Sequence, residues 1–188
     1  MSGGFLRLWA KPTSPARLCR PTGRDIEGPF YARGAPWRRV LASSHEPGER
    51  LTISGTVYGP DCKTPLAGVL LDVWHADRSG RYHSRSEQFR LRGRLRTDKL
   101  GRYSFSTIRP GRYREGDSFR PAHIHFKVAA SGRAALTTQL YFSGDPYLKP
   151  KDPCDVCNSG EPSQIITLAA RKKGATMAYR GTFDIILT

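Results

Sequence analysis

Hydrophobic and polar residues alternate with a period of two through most of this chain. Leu51, Ile53, Gly55 and Val57 interleave with Thr52, Ser54 and Thr56. Successive side chains of a strand point to opposite faces, so this run predicts a half-buried strand. Gly59-Pro60-Asp61 ends it. A second run carries Val69, Leu71 and Val73, stops near His75 and turns at Arg78-Ser79-Gly80. Phe89, Leu91, Gly93 and Leu95 alternate with Arg90, Arg92, Arg94 and Arg96, before a turn at Asp98-Lys99-Leu100-Gly101. Further alternating runs lie at 103–107, 123–128, 136–142, 164–168 and 181–187. No segment carries a helical period. About eight short strands with closely spaced turn signals predict an all-β fold, an antiparallel β-sandwich with long loops.

Residues 1–24 break the pattern. They are rich in Arg, Pro, Gly and Ser, contain no acidic residue, and predict an irregular arm. Residues 25–188 are then one domain, long enough for a hydrophobic core. No apolar run is long enough to span a bilayer, so no membrane partner is expected. The apolar patch at 5–10 is too short for the hydrophobic region of a secretory signal. The cytoplasm is the expected compartment. Four cysteines, Cys19, Cys62, Cys154 and Cys157, leave an exported form open. Cys154 and Cys157 form a CxxC without a second CxxC, which reads as a loop staple or free thiols rather than a catalytic pair.

The net charge of +15 attracts anions. The arginines at 90–96 are most simply a solvated strand face, and secondarily a field that gathers anionic substrates. No recognition-helix or basic–aromatic motif accompanies them, so no nucleic-acid partner is expected.

The densest local signal is Arg120-Pro121-Ala122-His123-Ile124-His125-Phe126. On a strand, His123 and His125 share one face while Ile124, Phe126 and Val128 share the other. Two imidazoles side by side suit a transition metal, although a plain polar surface explains the spacing equally well. Two tyrosines in turn-rich segments tip the balance: Tyr82 in Gly80-Arg81-Tyr82-His83, and Tyr113 at the end of Arg109-Pro110-Gly111-Arg112-Tyr113. Phenolates are hard anionic donors and suit Fe(III). Tyr103 alternates with its neighbours and reads as core. His75 reads as a structural hydrogen-bonder.

Taken together, "EGPFY" at 27–31, "PLAGVLLDVWHADRSGRY" at 65–82, "RLRTDKLGRYSFSTIRPGRY" at 94–113, "RPAHIHF" at 120–126 and "TTQLYFSGDP" at 137–146 resemble the intradiol ring-cleavage dioxygenases. The resemblance implies a catalytic β-sandwich over 25–188 whose long loops carry the active site. It implies one mononuclear non-haem Fe(III) per chain, held by Tyr82, Tyr113, His123 and His125, with Tyr113 the ligand released during turnover. Arg120 then stabilises negative charge on the substrate ring, Gln139 is its polar companion, and Tyr31 lines the substrate pocket. The implied reaction inserts O2 between the two hydroxylated carbons of a catechol, giving a muconate-type dicarboxylate. Chain length is nearer the protocatechuate type, so a protocatechuate-like ring is the favoured substrate and a homo-oligomer is expected. The alternative is a non-catalytic binding module on the same scaffold.

Overall fold

The computed structural model describes residues 19–83, 89–173 and 176–188. The predicted arm at 1–24 falls mostly outside them. Its last residues are tied to the domain by the Cys19–Cys62 disulfide and by paired bonds between Thr22 and Ile186. The strands are β1 (Arg50–Tyr58), β2 (Leu70–His75), β3 (Arg92–Arg96), β4 (Arg102–Ile108), β5 (Tyr113–Glu115), β6 (Ser118–Arg120), β7 (His123–Ala129), β8 (Leu136–Phe142), β9 (Ile165–Ile166), β10 (Ala169–Lys173), β11 (Thr176–Thr182) and β12 (Ile185–Ile186).

They form two sheets and a hairpin. One sheet runs β10-β11-β1-β12 with β4 also on β1, the other runs β3-β2-β7-β8-β9, and β5-β6 pair alone. The sheets face each other across a core that includes Leu51, Ile53, Leu71, Phe105, Phe126 and Phe183. The all-β sandwich is as predicted. The sheets, however, are mixed: β1 is parallel to both β11 and β12, and β8 to β9. Local alternation marks strands but not the direction in which a returning segment joins a sheet, and parallel partners need long connections. The extra strands β5, β6 and β10 pair without an alternating apolar pattern, so the alternation missed them.

The arginine stripe departs from a solvated face. Phe89 and Leu91 adopt positive φ (47° and 57°), so the ladder begins only at Arg92. Arg92 is fully buried. Arg94 donates to the Ala35 carbonyl and lies 4.8 Å from the Trp37 ring centre. The segment before β1 crosses this strand, with bridges Trp37 to Arg94 and Val40 to Ser106, and shields Arg92 and Arg94, while Arg96 stays exposed as the period alone implies.

Tyr103 is core, donating its phenol to the Phe183 carbonyl at 2.5 Å. His75 is buried between the sheets: its Nδ1 donates to the Ala76 carbonyl at 2.7 Å, and its Nε2 accepts from the Thr107 hydroxyl at 2.7 Å. Burial pushes the His75 pKa down to about 4. A folded-state pKa below the unfolded value makes the unfolded chain the better proton acceptor. Stability contributed by neutral His75 is therefore complete above about pH 6.5 and is lost as pH falls toward 4. The expected loss is roughly 3 kcal/mol from this residue. Urea melts of the full chain between pH 7.5 and 4.5 measure it, and His75→Gln flattens the slope.

Candidate metal centre

Strand β7 has two unlike faces. Ile124, Phe126 and Val128 enter the core, whereas His123 and His125 point outward beneath the loops. Register builds a row across that outer face: Arg92 on β3, Trp74 on β2, His125 on β7 and Gln139 on β8 are successive cross-strand partners. The Trp74 indole stacks on the His125 imidazole (4.7 Å, 6°) and holds its plane. One step along, His123 faces Tyr141.

The two tyrosines arrive on loops joined backbone to backbone. Gly111 N donates to Asp77 O at 2.9 Å. A Cβ on Gly80 would sit 2.1 Å from Arg112 O, and one on Gly111 would sit 2.2 Å from Arg78 O. Glycine two residues before each tyrosine is thus a steric requirement of this crossing. Asp77 Oδ1 accepts from Ser79 N and Arg81 N, and its Oδ2 contacts His83 Nε2 at 3.0 Å, closing the Tyr82 loop. Tyr113 is set by the β5-β6 hairpin, where it is the cross-strand partner of Arg120.

Tyr82 Oη lies 3.0 Å from His123 Nε2 and 3.0 Å from His125 Nε2. Donors about 2.1 Å from one metal and at right angles stand about 3 Å apart, so this cluster already has the spacing of a shared ligand set. Tyr113 closes the group, its ring centre 5.9 Å from that of Tyr82 and 6.0 Å from that of His123. His123 Nδ1–H donates to Pro121 O at 2.7 Å, which leaves Nε2 its lone pair. Burial, with Arg120 nearby, pushes the His123 pKa down to about 3, so the ring is neutral and able to ligate. Burial likewise holds the Tyr82 phenol well above its ordinary value.

Charge accounting points the same way. The three Arg92 guanidinium nitrogens are buried without a hydrogen-bond partner, and His125 Nδ1 is equally orphaned. Burial pulls the Arg92 pKa down, and Tyr82 leads the groups opposing it. A deprotonated Tyr82 would be an anion facing Arg92, and in so dry a place it also needs a cation beside it. Among the described residues no three His, Cys, Asp or Glu side chains cluster, so a metal site here depends on the phenols. The two imidazoles and two phenols fit a hard trivalent ion.

Arg120 is buried, with Nε and Nη2 on the two oxygens of Asp152 (3.1 and 3.3 Å) and Nη2 also on Gln139 Oε1 (3.2 Å) and the Tyr141 hydroxyl (3.0 Å). Burial works against its charge, but Tyr141 and Asp152 outweigh it and hold the pKa up. Gln139 is anchored by Nε2 on the Ile26 carbonyl at 2.9 Å. Tyr31 turns aside: its hydroxyl donates to Asp72 at 3.0 Å and its ring packs on Trp74. The neighbouring Phe30 stacks on Tyr82 (4.4 Å, 8°) and edges toward Tyr113, so it is the aromatic of this segment in contact with the cluster. Sequence reading did not single out Phe30, Trp74, Arg92, Tyr141 or Asp152. Register carried a usable signal for three of them, since Trp74, Arg92 and Tyr141 lie opposite residues of the outer face. Asp152 comes from a distant loop and had none. An open groove of about 920 Å³ lined by Arg50, Arg78, Arg109 and Arg112 adjoins the site but contains none of the four candidate ligands.

A family model described as Dioxygenase matches residues 26–188. Catechol 1,2-dioxygenase 2 of Acinetobacter lwoffii is 42% identical over 68% of this chain and 53% of its own length. Chlorocatechol 1,2-dioxygenase of Rhodococcus opacus is 36% identical over 73% of this chain and 62% of its own. The chain thus spans a little over half the length of these relatives. The dioxygenase domain of a dioxygenase carbohydrate-binding protein fusion from Streptomyces sp. SirexAA-E superposes with a TM-score of 0.74 at 39% identity, covering 89% of this chain and 98% of that one. A β-sandwich with phenols and imidazoles converging on one outer face, matched by such relatives, defines the class: the chain belongs to the intradiol ring-cleavage dioxygenase family.

Gly111→Ala should drive its Cβ into Arg78 O and part the two tyrosine loops. The expected result is a melting temperature lower by several degrees and iron affinity weaker by about tenfold or more. Calorimetry and iron titration of the full chain check both, and Gly59→Ala, whose Cβ would meet nothing closer than 3.5 Å, is the control for adding a methyl group without a clash.

Proposed function

We propose that this chain is a ferric-iron intradiol dioxygenase, inserting both atoms of O2 between the hydroxylated carbons of a catechol-type ring to give a cis,cis-muconate-type dicarboxylate. The observation that carries this reading is the approach of Tyr82 Oη to both imidazole Nε2 atoms at 3.0 Å, beside a second tyrosine and a buried arginine. One iron would be held by Tyr82, Tyr113, His123 and His125. When bound, it supplies Lewis acidity that lowers the pKa of phenols and catechol hydroxyls and accepts charge from the ring.

The side chains divide the remaining work. Tyr82 is buried and locked between Phe30 and the imidazoles, so it is a permanent donor. Tyr113 is half-buried, with its hydroxyl near Glu115 (3.3 Å) and Arg120, and it meets Phe30 edge-on where Tyr82 is stacked face to face, which marks it as the tyrosine more easily moved. Its phenolate oxygen is the acceptor for one catechol proton. Arg120 places a fixed positive charge beside Tyr113, its guanidinium carbon 6.0 Å from that ring centre, where it stabilises the deprotonated substrate. Gln139, held by Ile26, keeps that guanidinium in register. Phe30 excludes water from one side.

The relatives named above act on catechol and chlorocatechol, and this supports a catechol-type ring. Protocatechuate, favoured on chain length, becomes one arm of the test. A binding module without catalysis would have no use for a buried, unpaired guanidinium beside a phenol.

Iron-loaded protein should be red-brown from tyrosinate-to-iron charge transfer and should consume O2 with at least one of catechol, hydroxyquinol and protocatechuate. Colourless protein after reconstitution would sink the proposal. Tyr113→Phe should weaken the absorption band and slow turnover by about 100-fold. Arg120→Lys cannot reproduce the forked contact with Asp152 and should lower kcat by about 100-fold with a smaller change in KM, read by oxygen uptake.

A further inference from the structure

The CxxC and the loop that carries it have no part in the chemistry above. That loop links β8 to the 3-10 turn at Pro162–Gln164. Cys154 and Cys157 are joined in a disulfide, both largely buried, while Val156 between them is 75% exposed. Two residues before the first cysteine stands Asp152, whose side chain is wholly buried against Arg120. Cys154 N donates to Asp152 Oδ1 at 3.0 Å, the same oxygen that accepts from Arg120 Nε at 3.1 Å. Lys149 Nζ donates to the carbonyls of both Asp152 and Cys154 (3.3 and 2.7 Å). Beyond the disulfide, Asn158 N donates to Asp25 Oδ2, which also accepts from Tyr141.

We propose that Asp152 is the positioning residue for Arg120, and that the Cys154–Cys157 disulfide is the clasp holding Asp152 in place. The geometry of the guanidinium gives the reason. Its bonds to Gln139 and Tyr141 are both on Nη2 and both to neutral oxygens. Two contacts at one nitrogen leave the plane free to pivot about it. Asp152 alone grips Nε together with Nη2, which fixes the plane, and alone supplies a buried countercharge. Asp152 is itself oriented by the Cys154 backbone N–H. Within 153–158 the backbone makes one internal bond, Cys157 N to Cys154 O, and three of its residues, Asp155, Val156 and Asn158, are exposed. The covalent link is what keeps that N–H where Asp152 needs it.

The kinetic consequence rests on the dioxygenase reading, in which Arg120 stabilises substrate charge. The clasp itself does not. The test uses Asp152→Asn, the pair Cys154→Ser/Cys157→Ser with Cys19–Cys62 left intact, and the two combined. In iron-loaded protein, Asp152→Asn should lower kcat by about 10- to 100-fold with little change in KM. It should also raise the pKa at which bound 4-nitrocatechol shows its dianion spectrum. The serine pair should move both readouts the same way by a smaller factor, and the combination should be no worse than Asp152→Asn alone, because the two act as one unit. Wild-type kcat in Asp152→Asn, or losses that multiply in the combination, would overturn the proposal. If Asp152→Asn does not fold, the serine pair decides: an unchanged nitrocatechol pKa overturns the clasp. Thermal melts of Arg120→Met, Asp152→Asn and their double variant read the pairing without catalysis. The double should melt higher than the sum of the two single shifts predicts, and strict additivity would refute the pairing even in an active enzyme. Failure of wild-type protein to cleave any catechol, with that coupling intact, would instead count against the dioxygenase reading.

Discussion

Strand β7 is buried on both faces, apolar toward the sandwich core and polar toward the loops, and the candidate centre depends on that double burial. Ile124, Phe126 and Val128 lock the strand in register, because a slip of one residue would put the imidazoles in the core. His123 and His125 are thereby held 4.8 Å apart, ring centre to ring centre, with Nε2 atoms reaching one phenol oxygen. Desolvation then keeps both rings neutral, and neutral imidazole is the form that binds a metal. One packing constraint sets both position and protonation state.

A dry site of this kind is short of negative charge. Arg92 and Arg120 are both buried beside it, yet only Arg120 has a carboxylate, from Asp152. An arginine with a paired charge can be aimed. An arginine without one favours every nearby anion, which suits a tyrosinate and, on the proposed function, a deprotonated substrate ring. The two arginines differ in their supports as well. Arg92 lies in a regular ladder between β2 and the crossing segment, whereas Arg120 ends a three-residue strand and leans on a loop closed by a disulfide.

The loops follow the same economy of space. Tyr82 and Tyr113 sit on segments far apart in sequence, brought together because Gly80 and Gly111 let two backbones touch. The glycine–arginine–tyrosine triplets at 80–82 and 111–113 therefore have a steric meaning, and the third triplet at 101–103 shows its limit. Its tyrosine lies in β4 and points into the core, because alternation along that strand and not the triplet decides where the ring goes.

The period of two was enough to mark the long strands, and the H-x-H step was enough to put both imidazoles on one face, since each follows from chain geometry within a few residues. Turn-rich surroundings singled out Tyr82 and Tyr113, the resemblance carried by the motifs added Arg120 and Gln139, and the structure gathers all four about one outer face. Tertiary structure alone decided the rest. The arginines at 90–96 read as solvated because nothing local shows that residues 35–40 will cross over them. Phe30 and Tyr31 are adjacent, and only the docked segment determines that Phe30 meets Tyr82 while Tyr31 turns to Asp72. Asp152 lies 32 residues from Arg120, and no period links a loop carboxylate to a strand-end guanidinium. Alternation reports which face a side chain takes, whereas burial of charge is settled by whatever the rest of the chain lays over that face.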